Sequence, residues 1–132
     1  MAAEAVIVVD SDVLIAHLRG VHAAREWLLA ARAREPLVVS VVTVAEITGG
    51  MRTSERREVW ALLNAMRAVP VTDPVARRAG EFMREYRTSH SGIGLADYLI
   101  AATAQTLGAQ LATLNVRHFP MFAGLRAPFA LR

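Results

Sequence analysis

The stretch "AVIVVDSDVLIAHL", residues 5–18, decides the fold: a β-branched apolar run meets an aspartate and turns at once into a helical pattern. Residues 5–9 are short, continuous and valine-rich, the signature of a strand buried on both faces in a parallel sheet. Ser11 or Asp12 offers an N-terminal cap to the helix that follows. The alternation continues outward from there. Gly20 closes the first helix and a second covers 22–34. "PLVVSVV" (36–42) is a second buried strand ending near Ser40, and "TVAEITGGM" (43–51) starts a helix that Gly49 and Gly50 should break or bend. "TSERREVWALLNAMRAV" (53–69) is a helix capped by Thr53 or Ser54, and "VPVT" (69–72) a short strand. Asp73 as cap and Pro74 at the first helical position open a helix reaching Arg87.

After the loop "SHSGIG" (89–94), "LADYLIAATAQTLG" (95–108) is a helix closed by Gly108, and "AQLAT" (109–113) is a further strand. "LNVRHFPMF" (114–122) is a loop and "APFAL" (127–131) a candidate last strand. Strands alternating with helices predict a three-layer α/β/α fold with a central, mostly parallel sheet of four to five strands. A chain of 132 residues fits one domain, 1–132, with one core.

Bulk composition narrows the class. Hydrophobic residues make up 54%, many of them alanine, and the mean hydropathy is +0.31. The most apolar long stretch, 95–114, is interrupted by Asp97, Gln105 and Gln110, so it fails as a membrane span. The opening residues lack a basic region and carry Glu4 and Asp10, unlike a signal peptide. A cytoplasmic protein without membrane association is expected. With no cysteine, disulfides and thiolate metal sites are excluded. The net charge is +3, and all 15 basic residues are arginine. Coding bias explains that, although arginine also suits bidentate phosphate binding and a nucleic-acid partner.

Against this framework the acidic residues acquire positions. Asp10 ends the first strand, Glu46 lies in the first turn after the second, Asp97 opens the helix before the last core strand, and Asn115 follows that strand. All four belong at the carboxyl edge of the sheet, where open α/β folds place their sites. Carboxylates gathered there repel one another and resist ionisation unless a cation holds them. Oxygen ligands favour Mg²⁺ or Mn²⁺, which activate water and stabilise charge on a phosphodiester. Simpler roles compete. Thr43 and Glu46 have the spacing of a capping box, Asp97 suits a helix dipole, and Asp12 and Asp73 read as caps. His17 and His22 read as structural or surface residues, and Trp27 and Trp60 as core or interface.

Taken in order, "VIVVDSDVLIAHL", "VVSVVTVAEITGGM" and "GIGLADYLIAATAQTLGAQLATLNVRHF" resemble PIN-domain ribonucleases, and more narrowly the VapC-type toxins of bacterial toxin–antitoxin pairs. The resemblance covers residues 5 to 130 or so. It implies that Asp10, Glu46 and Asp97 are catalytic acids holding Mg²⁺ or Mn²⁺. Asn115 matches a variable fourth position, ligating directly or through water, more weakly than an acid. Ser11 and Thr113 match supporting hydroxyl positions, and Arg117 and His118 are candidate RNA contacts. The implied reaction is endonucleolytic cleavage of single-stranded or looped RNA by metal-activated water, leaving a 5′-phosphate and a 3′-hydroxyl. The implied partners are an RNA substrate, a VapB-type antitoxin seated around residues 43–66 with a basic residue in the acidic site, and a second copy in a homodimer.

Two rival readings use the same residues. "VIVVDSDVLI" fits the opening of haloacid-dehalogenase-type phosphatases, with Asp10 as nucleophile. Those enzymes normally also need a downstream lysine, sometimes an arginine, and a late acidic pair; this chain has no lysine and no closely spaced acidic pair after residue 85. The other rival is a non-catalytic binding module on the same fold.

Overall fold

A computed structural model describes residues 5–131. Strand β1 (Ile7–Val9) is followed by α1 (Ser11–Leu18) and α2 (His22–Arg34), then β2 (Leu37–Ser40), α3 (Val41–Gly50) and α4 (Arg56–Asn64). Strand β3 (Arg67–Val69), α5 (Asp73–Tyr86), α6 (Leu95–Leu107) and β4 (Gln110–Ala112) complete the fold. The four described strands form one sheet in the order β3-β2-β1-β4, with every pairing parallel. The expected architecture is therefore present, with the lower of the two expected strand counts among the described residues.

Strand periodicity sorts the core into two halves. Ile7, Val9, Leu37, Val39 and Ala112 pack with α1 to α4, while Val8, Val38 and Leu111 pack with α5 and α6. All eight are buried, which is why these strands read as unbroken apolar runs rather than as alternating ones.

Local chemistry shifts several predicted boundaries. Asp10, not Ser11 or Asp12, caps α1: its Oδ1 accepts from the Ser11 N–H at 2.8 Å. Ser40 caps α3 through the Val42 N–H at 3.1 Å, so this helix starts two residues earlier than expected and Thr43 sits in its first turn. The Thr43–Glu46 capping box consequently does not form, and the Thr43 hydroxyl is buried without a partner. The two glycines do not bend α3; it ends at Gly50.

A short 3₁₀ turn (Thr53–Glu55) precedes α4, and its entry is held by Glu55, whose Oε1 accepts from the Arg52 N–H at 2.8 Å, rather than by Thr53 or Ser54. Glu55 also pairs with Arg19 at the end of α1. Strand β3 ends before Pro70, which has no N–H for a ladder; the strand expected at 69–72 therefore lies two residues upstream. Thr72 rather than Asp73 caps α5, with Pro74 at its second position. Residues 127–131 form no strand. Gly108 closes α6 as expected, with φ +64°, a left-handed conformation that glycine adopts without steric cost.

Candidate active site

Because β1 and β4 are neighbours while β2 and β3 extend the other way, the strand order reverses between β1 and β4. A crevice opens at the carboxyl ends of strands at such a point. Asp10 leaves β1 there and Thr113 leaves β4, and their side chains meet. The Thr113 hydroxyl lies 2.8 Å from Asp10 Oδ2 and 3.2 Å from Asp12 Oδ2. It also accepts from the Asn115 N–H at 3.1 Å. One hydroxyl has one proton, and the shorter distance assigns it to Asp10. Thr113 thus ties Asp10 to the turn carrying Asn115.

Asp10 is 5% exposed. Both of its oxygens are hydrogen-bonded, yet its carboxyl is pushed up from 3.8 to about 7, first by burial and then by the charge of Asp12, with a smaller contribution from Asp97. Those hydrogen bonds offset only part of the desolvation cost. Glu46, exposed on α3, is also raised, by burial of part of its carboxyl and by the charges of Asp97 and Asp12, while the Ser11 hydroxyl pulls it back down. Asp97 is therefore within electrostatic reach of both Asp10 and Glu46, and Ser11 bonds to both, through its N–H to Asp10 and its hydroxyl to Glu46.

Asp97 stands at the third position of α6. Its Oδ2 accepts from the Gly94 N–H at 3.1 Å and lies 3.0 Å from His118 Nδ1. One oxygen of Asp97 thus serves both the start of α6 and the contact with His118. His118 Nδ1 is also 2.8 Å from the Asn115 side-chain amide. A carboxylate only accepts, so the ring faces Asp97 through a donating Nδ1. His118 therefore turns inward onto the acidic site, whereas Arg117 is exposed on the same 3₁₀ turn, Val116–His118.

Asp12 is the residue that the sequence reading placed in the wrong role. It is not a cap. Its Oδ2 accepts from the Leu114 N–H at 3.0 Å, across 102 positions of sequence, and its Oδ1 is buried without a partner. Burial, its largest cause, raises this carboxyl too. The one available signal was its spacing from Asp10, which places both acids on the first turn of one helix.

The donors are all oxygens, and a divalent cation would relieve both the burial of Asp10 and the mutual repulsion. The set therefore fits Mg²⁺ or Mn²⁺ in type. Among the described residues no three His, Asp or Glu side chains stand close enough together to hold an ion as they are placed. Asp97 keeps Oδ1 outside its two recorded contacts, and Asp12 keeps Oδ1 unpartnered.

The PIN domain family model matches residues 7–124. The chain is 66% identical over 125 residues to Ribonuclease VapC10 of Mycobacterium tuberculosis, covering 95% of this chain and 94% of that protein. It is 42% identical over 122 residues to Ribonuclease VapC19 of the same organism, covering 92% and 98%. A toxin–antitoxin complex from Klebsiella pneumoniae contains a chain of the same fold, with TM-score 0.77, 24% identity, and coverage of 93% of this chain and 98% of that one. No helix among the described residues is long and apolar enough to cross a membrane.

Proposed function

The chain belongs to the PIN-domain family, and from that premise we propose that it is an endoribonuclease, the toxin of a toxin–antitoxin pair, with its site at Asp10, Glu46 and Asp97. The observation that carries this reading is the state of Asp10. A carboxylate buried at the end of β1, bonded on both oxygens and still held near 7, costs more as a charge than a helix cap requires and makes a good cation ligand. Similarity to two ribonucleases over nearly the whole chain supports the reaction type. It also favours the nuclease over a phosphatase or a non-catalytic module.

Asp10, Glu46 and Asp97 would hold Mg²⁺ or Mn²⁺, with Asn115 beside them as a neutral ligand, direct or through water. When bound, such an ion supplies water activation and charge stabilisation at the scissile phosphodiester. The chain's own residues set the geometry. Thr113 and the Ser11 N–H hold Asp10 in one orientation. His118 and the Gly94 N–H fix one oxygen of Asp97. Exposed Arg117 meets the RNA backbone, because a guanidinium matches a phosphate with two parallel donors. Hydrolysis adds water across the P–O3′ bond and leaves a 5′-phosphate and a 3′-hydroxyl.

We assign residues 1–132 to a single domain acting in the cytoplasm. Its partners are RNA, a VapB-type antitoxin and a second copy of the chain. A groove lined by Ile15, Ile47 and Met51 runs to Glu46 along α3, within the region expected to seat the antitoxin. Antitoxin-free protein should cut members of a broad RNA panel with Mg²⁺ or Mn²⁺, leaving 5′-phosphate ends, and cut none with EDTA. An intact panel in the presence of metal would remove this reading.

A further inference from the structure

We propose that Asp12 supplies the fourth negative charge of the metal site, taking over electrostatically from the neutral Asn115. The inference rests on the metal-site reading above but concerns a residue outside it. Asn115 occupies the position after β4, where an amide holds a cation less strongly than a carboxylate. Asp12 approaches that same turn from α1. One of its oxygens is fixed by the Leu114 N–H at 3.0 Å and lies 3.2 Å from the Thr113 hydroxyl, on either side of the backbone leading into Asn115.

Its other oxygen is buried and lacks any partner. A buried carboxylate oxygen left unbonded is costly in an interior, and a structural clamp to Leu114 needs only the first. Asp12 also faces Asp10 across a single hydroxyl: Thr113 Oγ1 lies 3.2 Å from Asp12 Oδ2 and 2.8 Å from Asp10 Oδ2. A carboxylate that close to the first cation ligand adds to the negative field that attracts the cation. Asp12 therefore acts as a positioning and charge-supplying residue for the cation.

The test uses the full-length, antitoxin-free protein and Mn²⁺ alone, read by calorimetric titration and by metal-dependent thermal stabilisation, without RNA. Asp12→Asn keeps an acceptor for the Leu114 N–H and removes only the charge, and Asp12→Ser is a second neutral variant should the first fail to fold. Either is expected to weaken Mn²⁺ binding about tenfold or more, the range typical of outer-shell partners. Adding Asn115→Asp to Asp12→Asn returns a charge to the other side of the turn and is expected to restore most of the affinity. Unchanged binding in the neutral variants overturns the proposal. So does weakened binding that Asn115→Asp leaves unrescued, since that marks Asp12 as a clamp only. Absence of saturable Mn²⁺ binding by the wild type removes the metal-site reading itself, an outcome distinct from either.

Discussion

Asparagine at position 10 separates the charge of Asp10 from its hydrogen bonds. Its Oδ1 still accepts from the Ser11 N–H, and its Nδ2 donates to Thr113 Oγ1 where the carboxylate accepted. The charge alone is lost. Folding raises the Asp10 carboxyl from 3.8 to about 7, so stability is fully present below the unfolded value and is lost as the pH climbs through the folded one. At 1.36 kcal/mol per unit, the full cost is about 4 kcal/mol. Asp10→Asn is therefore expected to be more stable than wild type by about 4 kcal/mol near pH 8, by about 2 kcal/mol near pH 5.5, and by almost nothing below about pH 4. Urea unfolding of both proteins, without divalent metal, at a series of pH values measures the difference directly. A difference that is flat with pH, or a variant less stable than wild type near pH 8, would refute the assignment of Asp10 as a strained, buried charge.

Three further outcomes follow from the contacts. Thr113→Val removes a hydroxyl that serves Asp10 and the Asn115 N–H; it should cost about 1–3 kcal/mol by thermal or urea unfolding and lower cleavage more than stability explains, whereas an unchanged cleavage rate contradicts the tie. His118→Ala frees the Asp97 carboxylate from a 3.0 Å contact and should reduce kcat about tenfold with little change in Tm, while His118→Asn, which keeps a donor near Nδ1, recovers part of the loss. Arg117→Ala should weaken RNA binding uniformly across sequences and reduce the slope of log affinity against log salt by roughly 0.7, the contribution of one phosphate contact to a single strand; an unchanged slope places Arg117 away from the RNA.

Much of this molecule was legible because burial on both faces forces apolar runs. Ile7 and Val9 serve one layer and Val8 the other, so "VIVV" could be read as a central parallel strand without knowing its neighbours. Asp10 at the end of such a run was legible as a site residue because a charge buried there is costly, whereas its second role as the cap of α1 was not. Helix starts were less so. At each, two or three capping residues stand side by side: Asp10, Ser11 and Asp12; Ser40 and Thr43; Thr72 and Asp73. The choice among them depends on where the preceding strand releases the chain. β3 was misplaced because Ala68 carries little signal and Pro70 stops the ladder. The roles of Asp12 and His118 were hidden for a deeper reason: each is defined by a partner far along the chain, Leu114 for one and Asp97 for the other. Spacing within a helix or a loop carries no information about such a partner.

Cleavage by antitoxin-free protein, compared among wild type, Asp10→Asn and Asp97→Asn at saturating Mn²⁺, tests the central claim most directly, with folding of each variant verified by its melting transition. The wild type is expected to cut, with at least a hundredfold loss, on the order of 3 kcal/mol of transition-state stabilisation, in both well-folded variants. Cleavage by Asp10→Asn at the wild-type rate would contradict that claim.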